Sequence, residues 1–381
     1  MATPFTSKVD TLRPAYGFDD ISLAPGTDTI DPADVDLAQD FCGIPLASPI
    51  IASAMDAVVS PTTAGLIRAQ GCLAAINLEG LWFRYADPAP CFAAIAAAPK
   101  ESVQALFAEL YAQPIDATLI PRRIAEMRAA GAPAIVAATP QAIGTYGDAV
   151  IAAGVDLLII QSQVSSARHI ASGYAPLELS AFVARAGAPV AIGNTSNAAA
   201  AYALMEQGAA AIFVGVGPGN ACTTREVLGI GVPQVTAVSD VAAARDAYLA
   251  DSGRYVPVIA DGGIRKGGEI AKALAVGADA VMIGSPLARA SEAPGHGYNW
   301  GMAAPSPTLP RGTRIEVGTA GSMEQILNGP SRVTDGSENL IGAVRQSAAA
   351  LGVRNVRGFR DVEVMHAPAA ATEGKSWQRG R

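Results

Sequence analysis

The amino-acid sequence predicts a (β/α)8 barrel on three observations. Short runs rich in branched apolar residues recur eight times, each followed by a helix-compatible stretch, the pattern of repeated βα units around a parallel sheet. The runs are apolar throughout rather than alternating, as expected when helices cover one face of a sheet and side chains fill the other. Three of them follow the tripeptides Ala130-Gly131-Ala132, Gln207-Gly208-Ala209 and Val276-Gly277-Ala278, which place glycine where a helix ends and the chain turns inward. A doubly wound sheet is the alternative.

Taken in order, strand one is predicted at residues 48–53 (SPIIAS) and strand two at 72–77 (CLAAIN). Strands three and four fall at 134–138 (AIVAA) and 156–161 (DLLIIQ), five and six at 189–193 (PVAIG) and 210–215 (AIFVG). Strands seven and eight fall at 256–261 (VPVIAD) and 279–284 (DAVMIG). The stretch 197–206 (NAAAAYALME) reads as a closely packing helix, because alanine is small and strongly helix-forming. One barrel is expected over residues 1–365, with an extended N-terminus, insertions at 78–133 and 285–340, and a C-terminal tail at 366–381.

Composition narrows the function classes. Half of the 381 residues are apolar and 16% are charged, against roughly 25% charged in an average globular domain, which argues against intrinsic disorder. A net charge of −7 gives no general attraction to nucleic acid or an anionic membrane. The sequence contains no apolar run long enough to span a bilayer and no signal-peptide layout, so the cytoplasm is the expected location. Four cysteines without CxxC spacing and three scattered histidines form neither a disulfide framework nor a zinc site.

In a parallel barrel the loops after the strands gather at one mouth, so the residues there are the candidates for chemistry. After strand six runs Gly215-Val216-Gly217-Pro218-Gly219-Asn220-Ala221-Cys222-Thr223-Thr224-Arg225, in which glycines admit a ligand to the backbone and a thiol stands among hydroxyls beside an arginine. Cys222 is the candidate nucleophile. Cys42, Cys72 and Cys91 have apolar neighbours and read as core. Asp261-Gly262-Gly263 and Gly284-Ser285 follow strands seven and eight, where barrels commonly hold phosphate, with Asp261 free for a ribose hydroxyl. Ser53 and Met55 follow strand one, and methionine suits packing against a flat base.

These segments together resemble the IMP dehydrogenase and GMP reductase family. Tyr16-Gly17-Phe18-Asp19-Asp20-Ile21 is similar to its F-D-D opening, Ser53-Ala54-Met55-Asp56 to its S-[AP]-M-D segment, and residues 217–224 to its G-P-G-S-x-C-T-T loop. Gly193-Asn194, residues 258–264 and Ser291-Glu292-Ala293-Pro294-Gly295 follow in family order, so the resemblance runs from about Tyr16 to Gly352. It implies a purine nucleotide substrate attached to Cys222 at C2 as a thioimidate, with Thr224 as hydroxyl partner and Asp261 on the ribose. Ser53, Gly262, Gly263, Gly284 and Ser285 would cradle the phosphate, while Met55, Gly301 and Met302 flank the base and Asn194 and Asn220 line the nucleotide. Gln161, Ser162 and Gly215 fall at the cofactor, NADPH or NAD. Gly217, Gly219 and Cys222 would ligate a monovalent cation such as potassium, and a homo-oligomer, tetramer or octamer, is implied.

Departures from the family bear on the reaction. Asn220 replaces a serine, and Gln161 replaces the aspartate usual after strand four. No pair of regulatory CBS modules interrupts the barrel. The dehydrogenases activate water with an adjacent Arg-Tyr on a flap after strand eight; residues 285–318 contain none, while Arg84-Tyr85 and Arg254-Tyr255 lie elsewhere. Thr372-Glu373-Gly374-Lys375 is similar to the S-E-G-K segment whose glutamate partners the loop threonine in GMP reductases, which makes Glu373 a candidate acid reaching a neighbouring subunit. Reduction of GMP to IMP is the favoured reaction and oxidation of IMP to XMP the alternative, with Arg311 or Arg314 then the arginine for water. A catalytically silent nucleotide-binding regulator and a flavoenzyme are the readings from other classes.

Overall fold

The structure, a computed structural model, describes residues 8–302 and 313–368. All eight predicted strands form. We label them β1 (Ile50–Ala52), β2 (Leu73–Ala74 and Ile76–Asn77), β3 (Ile135–Ala138), β4 (Leu157–Gln161), β5 (Val190–Thr195), β6 (Ile212–Val214), β7 (Val258–Asp261) and β8 (Ala280–Ile283). Neighbours in sequence pair in parallel from β3 to β8, and β8 pairs β1. The barrel closes through β2, whose first half pairs β1 and whose second half pairs β3, with Ala75 between the halves.

The apolar runs divide by parity, because successive strand residues point to opposite faces. Ile51, Leu73, Ile135, Ala137, Leu157, Ile159, Ala191, Phe213, Ile259, Ala280 and Met282 fill the barrel interior. Ile50, Val136, Leu158, Ile160, Ile192, Val258 and Val281 face the helices. Phe41, Ile44 and Leu46 join the interior cluster from the hairpin Gln39–Phe41/Ile44–Leu46. Gln39 Nε2 donates to Asp279 O at 2.7 Å and Cys42 Sγ lies 3.5 Å from Ala210 O. Asp279 and Ala210 precede β8 and β6, so this hairpin plugs the N-terminal end of the barrel and leaves the other end open.

Helix starts are coded locally. Ser60, Thr139 and Asn197 accept the amides of Thr63, Ala142 and Ala200 at 2.9, 3.2 and 3.0 Å, with proline next at the first two, the arrangement that satisfies otherwise orphaned donors. Gly277 illustrates the predicted turns: its φ is +110°, and a Cβ there would meet Ala242 Cβ at 2.5 Å. The helix Leu119–Ala129 packs between the helices Pro61–Ala69 and Pro140–Ala152, so it is the barrel helix after β2, and the excursion proper narrows from 78–133 to 78–118. The helices Met323–Asn328 and Leu340–Ala350 close the ring between Pro61–Ala69 and Gly267–Ala275. Residues Val364–His366 pair antiparallel with Ile21–Leu23, and Ala367 N donates to Asp20 O.

Candidate active site

A cavity of about 1520 Å³ opens at the C-terminal ends of the strands. Ser53, Met55, Gln161, Ser162, Asn194, Gly215, Gly217, Gly219, Asn220, Cys222, Thr224, Asp261, Gly262, Gly263, Gly284, Ser285, Gly301 and Met302 all line it. Of the site residues expected from the sequence, Glu373 lies outside the described residues.

The β6 loop presents the thiol. Cys222 is exposed, and its Sγ lies 3.1 Å from Thr224 Oγ1, which is buried at the start of the short helix Thr224–Leu228. Cys222 N donates to Gly219 O at 3.0 Å, so the carbonyl of Gly219, a residue expected at a cation, closes a turn. Arg225 braces the loop: Nε donates to Val216 O at 3.0 Å and Nη2 to Val232 O at 2.7 Å. Gly217 and Gly231 make room for it, since a Cβ at either would meet the arginine side chain at 2.7 Å.

Across the cavity Asp261 is held at the end of β7. Asn194 Nδ2 donates to its Oδ2 at 2.6 Å, and Gln161 Nε2 donates to the same oxygen at 3.1 Å and to Asn194 Oδ1 at 3.0 Å. Burial pushes the Asp261 carboxyl up to about 6, against the opposing effect of the two amides. Gln161, expected beside the cofactor, therefore joins the group around Asp261. Gly215 is required for close approach, because a Cβ would run into Asp261 O and the Gln234 amide.

Toward β8 a polar chain runs from Asn299 Nδ2 to Ser285 Oγ at 2.9 Å, and from Ser285 Oγ to Asn220 Oδ1 at 2.7 Å. Asn220, expected at the nucleotide, thus stands beside Ser285. A Cβ at Gly284 would meet Met55 Sδ at 2.8 Å and Ser53 Oγ at 3.5 Å. One expectation is corrected here: Gly262 N donates to Met282 O at 3.0 Å, so its amide extends the β7–β8 ladder and is not offered to an anion. Gly263 follows with φ +77° against Pro218, and among the described residues its amide has no partner.

Of the two arginines proposed for water activation, Arg314 is engaged elsewhere, as are the two Arg-Tyr pairs. Arg314 donates to Ile95 O and, at 2.8 Å, to Ala98 O, and sits 4.3 Å over the Tyr298 ring. Arg254 binds Gly208 O and Met205 O, and Tyr255 binds Asp279 Oδ1 at 2.6 Å, at the closed end of the barrel. Arg84 Nε donates to Glu79 O at 3.0 Å. Arg311 lies outside the described residues.

Sequence reasoning missed Asn299 and Gln234. Asn299 sits in the hairpin Tyr298–Trp300/Arg314–Glu316, and its neighbours Gly301 and Met302 were the only signal. Gln234, 4% exposed, donates through Nε2 to Val214 O at 2.7 Å and Asp261 O at 3.3 Å, tying the ends of β6 and β7 together. Its position after a proline at a helix start was the available clue.

The chain is similar in sequence and fold to known proteins. The sequence model of the IMP dehydrogenase / GMP reductase domain matches residues 15–303. An uncharacterized oxidoreductase of Mycolicibacterium smegmatis is 40% identical over 361 residues, covering 92% of this chain and 96% of that one. The inosine-5'-monophosphate dehydrogenase of Escherichia coli is 46% identical over 155 residues, 39% of this chain and 28% of that enzyme. The crystal structure of an IMP dehydrogenase/GMP reductase-like protein from Corynebacterium glutamicum superposes with a TM-score of 0.88 at 38% identity, covering 93% of this chain and 95% of that one. With an exposed thiol in the loop after β6 and glycine loops after β7 and β8 of one barrel, the chain is an oxidoreductase that belongs to the IMP dehydrogenase / GMP reductase family.

Proposed function

We propose that the protein reduces GMP to IMP, with NADPH as hydride donor and release of ammonia. The observation that carries the purine chemistry is the exposed Cys222 thiol, 3.1 Å from the buried Thr224 hydroxyl, facing a cavity that also holds Asp261 and the Asn299–Ser285–Asn220 chain. Cys222 Sγ adds to purine C2, and the C2 amino group leaves as ammonia once protonated, giving a thioimidate. Thr224 relays that proton, and Glu373 from a neighbouring copy of the chain is its proposed source. Hydride reaches C2 from NADPH when that is bound, the C–S bond breaks, and the thiolate is regenerated; overall GMP, NADPH and two protons give IMP, NADP and ammonium. Asp261 accepts from the ribose hydroxyls, and Ser285, Asn220 and Gly263 hold the phosphate.

Room exists for both ligands. Drug-sized pockets run to roughly 1,000 Å³, and this cavity exceeds that, extending to the polar residues Ser162, Gln163, Ser165 and Ser166 and to His169 after β4. Support for the reductive direction comes from Arg314, whose guanidinium is held by the carbonyls of Ile95 and Ala98 and by the Tyr298 ring, contacts that compete with activating a hydrolytic water. Absorbance at 340 nm decides the direction: GMP with NADPH should consume NADPH and yield IMP, while Glu373→Gln should lose deamination yet oxidise IMP slowly. Brisk XMP formation from IMP and NAD, with NADPH untouched by GMP, would reverse the assignment.

A further inference from the structure

Residues 78–118 bury a second apolar cluster apart from the barrel core, in which Phe92, Phe107 and Tyr111 enclose Trp300. The Trp300 ring lies 6.3 Å from Phe92 and 5.7 Å from Phe107, centroid to centroid. Arg314, on the other strand of the same hairpin, is bound by the carbonyls of Ile95 and Ala98. The helices Ala89–Ala97 and Val103–Ala112 therefore grip the hairpin Tyr298–Trp300/Arg314–Glu316 by both strands.

The Tyr111 hydroxyl stands at the centre of this contact. It accepts from Trp300 Nε1 at 2.9 Å and donates to Asp56 Oδ2 at 2.8 Å, and Met302 Sδ lies 3.7 Å away. A hydroxyl has one proton, and a carboxylate is a far better acceptor than a thioether, so the proton goes to Asp56 and the sulfur packs against the oxygen. Asp56, 1% exposed, also accepts the Leu81 amide at 2.8 Å, and a Cβ at Gly80 would run into its Oδ1. The sequence neighbours of both anchors line the cavity: Met55 precedes Asp56, and Gly301 and Met302 follow Trp300.

We propose that Tyr111 is a positioning residue for the purine ring: through Asp56 and Trp300 it sets the separation of Met55 and Met302, and so holds C2 against Cys222. The identity of the ring rests on the purine reading above. One hydroxyl from the excursion cross-links the loops after β1 and β8, and a displacement of either methionine shifts the attack geometry, to which rate is steeply sensitive.

Tyr111→Phe keeps the ring in its cluster and removes the cross-link, while Asp56→Asn keeps the shape and weakens the acceptor. Tyr111→Phe should weaken GMP binding about tenfold by calorimetry, the order expected for a lost charge-assisted hydrogen bond, and lower kcat with saturating GMP. Alkylation of Cys222 by iodoacetamide without nucleotide should keep the wild-type rate. Asp56→Asn should shift affinity and kcat in the same direction by less, and Tyr111→Phe combined with Met302→Leu should be non-additive. If Tyr111→Phe does not fold, Asp56→Asn carries the comparison alone. Loss of Tm with unchanged GMP affinity and kcat would make Tyr111 a packing residue and overturn the proposal alone; a wild-type protein that binds neither GMP nor IMP would overturn the purine reading and this proposal with it.

Discussion

Four thiols share one chain, and their surroundings separate them. Burial pushes Cys42 and Cys72 up to about 12 and Cys91 upward as well, whereas Cys222 is the exposed one. Iodoacetamide should therefore label Cys222 first, by at least about tenfold in rate because the thiolate is the reacting form, and GMP should slow the labelling. Cys222→Ala should abolish turnover and keep GMP binding; retained turnover would exclude the covalent route. Asp261 makes a second prediction at this scale. Its folded value of about 6 lies above the ordinary 3.8, so its stabilising contribution is complete below about pH 4 and lost as pH rises through 6. Asp261→Asn should accordingly raise Tm by a few degrees at pH 7.5, with the difference vanishing near pH 4. A ligand that donates hydroxyls to the ionised carboxylate should bind more weakly as pH falls through 6. The nucleotide phosphate titrates in the same range, so the signature is the part of that decline missing from Asp261→Asn; identical pH profiles would remove Asp261 from the ribose.

At the scale of elements, the two ligand loops differ in what a substitution tests. Gly262 and Gly263 have φ of +83° and +77° against Pro218, so a side chain there strains the backbone as well as the ligand space. Gly284 lies outside that region, and a Cβ there would meet Met55 Sδ at 2.8 Å. Gly284→Val should therefore weaken GMP binding by at least about tenfold with little loss of Tm, while Gly262→Val should cost both, as calorimetry and melting curves will separate. Unchanged affinity in folded Gly284→Val would move the phosphate elsewhere. The βα repeats were legible because buried parallel strands are apolar on both faces, so eight short runs stand out from composition alone. The Cys222 loop was legible because its glycines and hydroxyls are contiguous. The excursion was not: Tyr111 acts on Asp56 and Trp300 from 55 and 189 residues away. Nor does any local signal reveal that Arg123, 3% exposed, gathers the carbonyls of Trp82, Tyr85 and Ala86 at 2.8 to 2.9 Å to seat that same segment.

Over the whole molecule the two ends of the barrel have separate tasks. The open end gathers residues at the ends of all eight strands around the cavity, while the hairpin Gln39–Phe41/Ile44–Leu46 seals the other. Beside that seal, Asp279, 5% exposed, accepts from Tyr255 at 2.6 Å, from Val258 N at 2.8 Å and from Arg245 Nη1 at 3.2 Å, with Arg360 at 2.5 Å. The group joins the start of β8 to the start of β7, the helix Gln234–Ser252 and the 3-10 turn Val356–Asp361. It also accounts for Tyr255, while the neighbouring Arg254 holds the carbonyls of Met205 and Gly208, so both residues of that pair serve the closed end. Removing one partner of a buried ion pair typically costs about 3–5 kcal/mol, because the remaining charges stay buried without compensation. Asp279→Asn leaves the buried Arg245 with only Asp246 and the Gly277 carbonyl, and Arg360, partly exposed, without its carboxylate, so the cost falls toward the lower end of that range and Tm should drop by several degrees. Below the new melting range, kcat and KM for the nucleotide should match the wild-type values, since no group of this cluster lines the cavity. Thermal melts paired with initial rates at 20 °C test both halves, and a loss of turnover in protein that is still folded would mean that the two ends of the barrel are coupled.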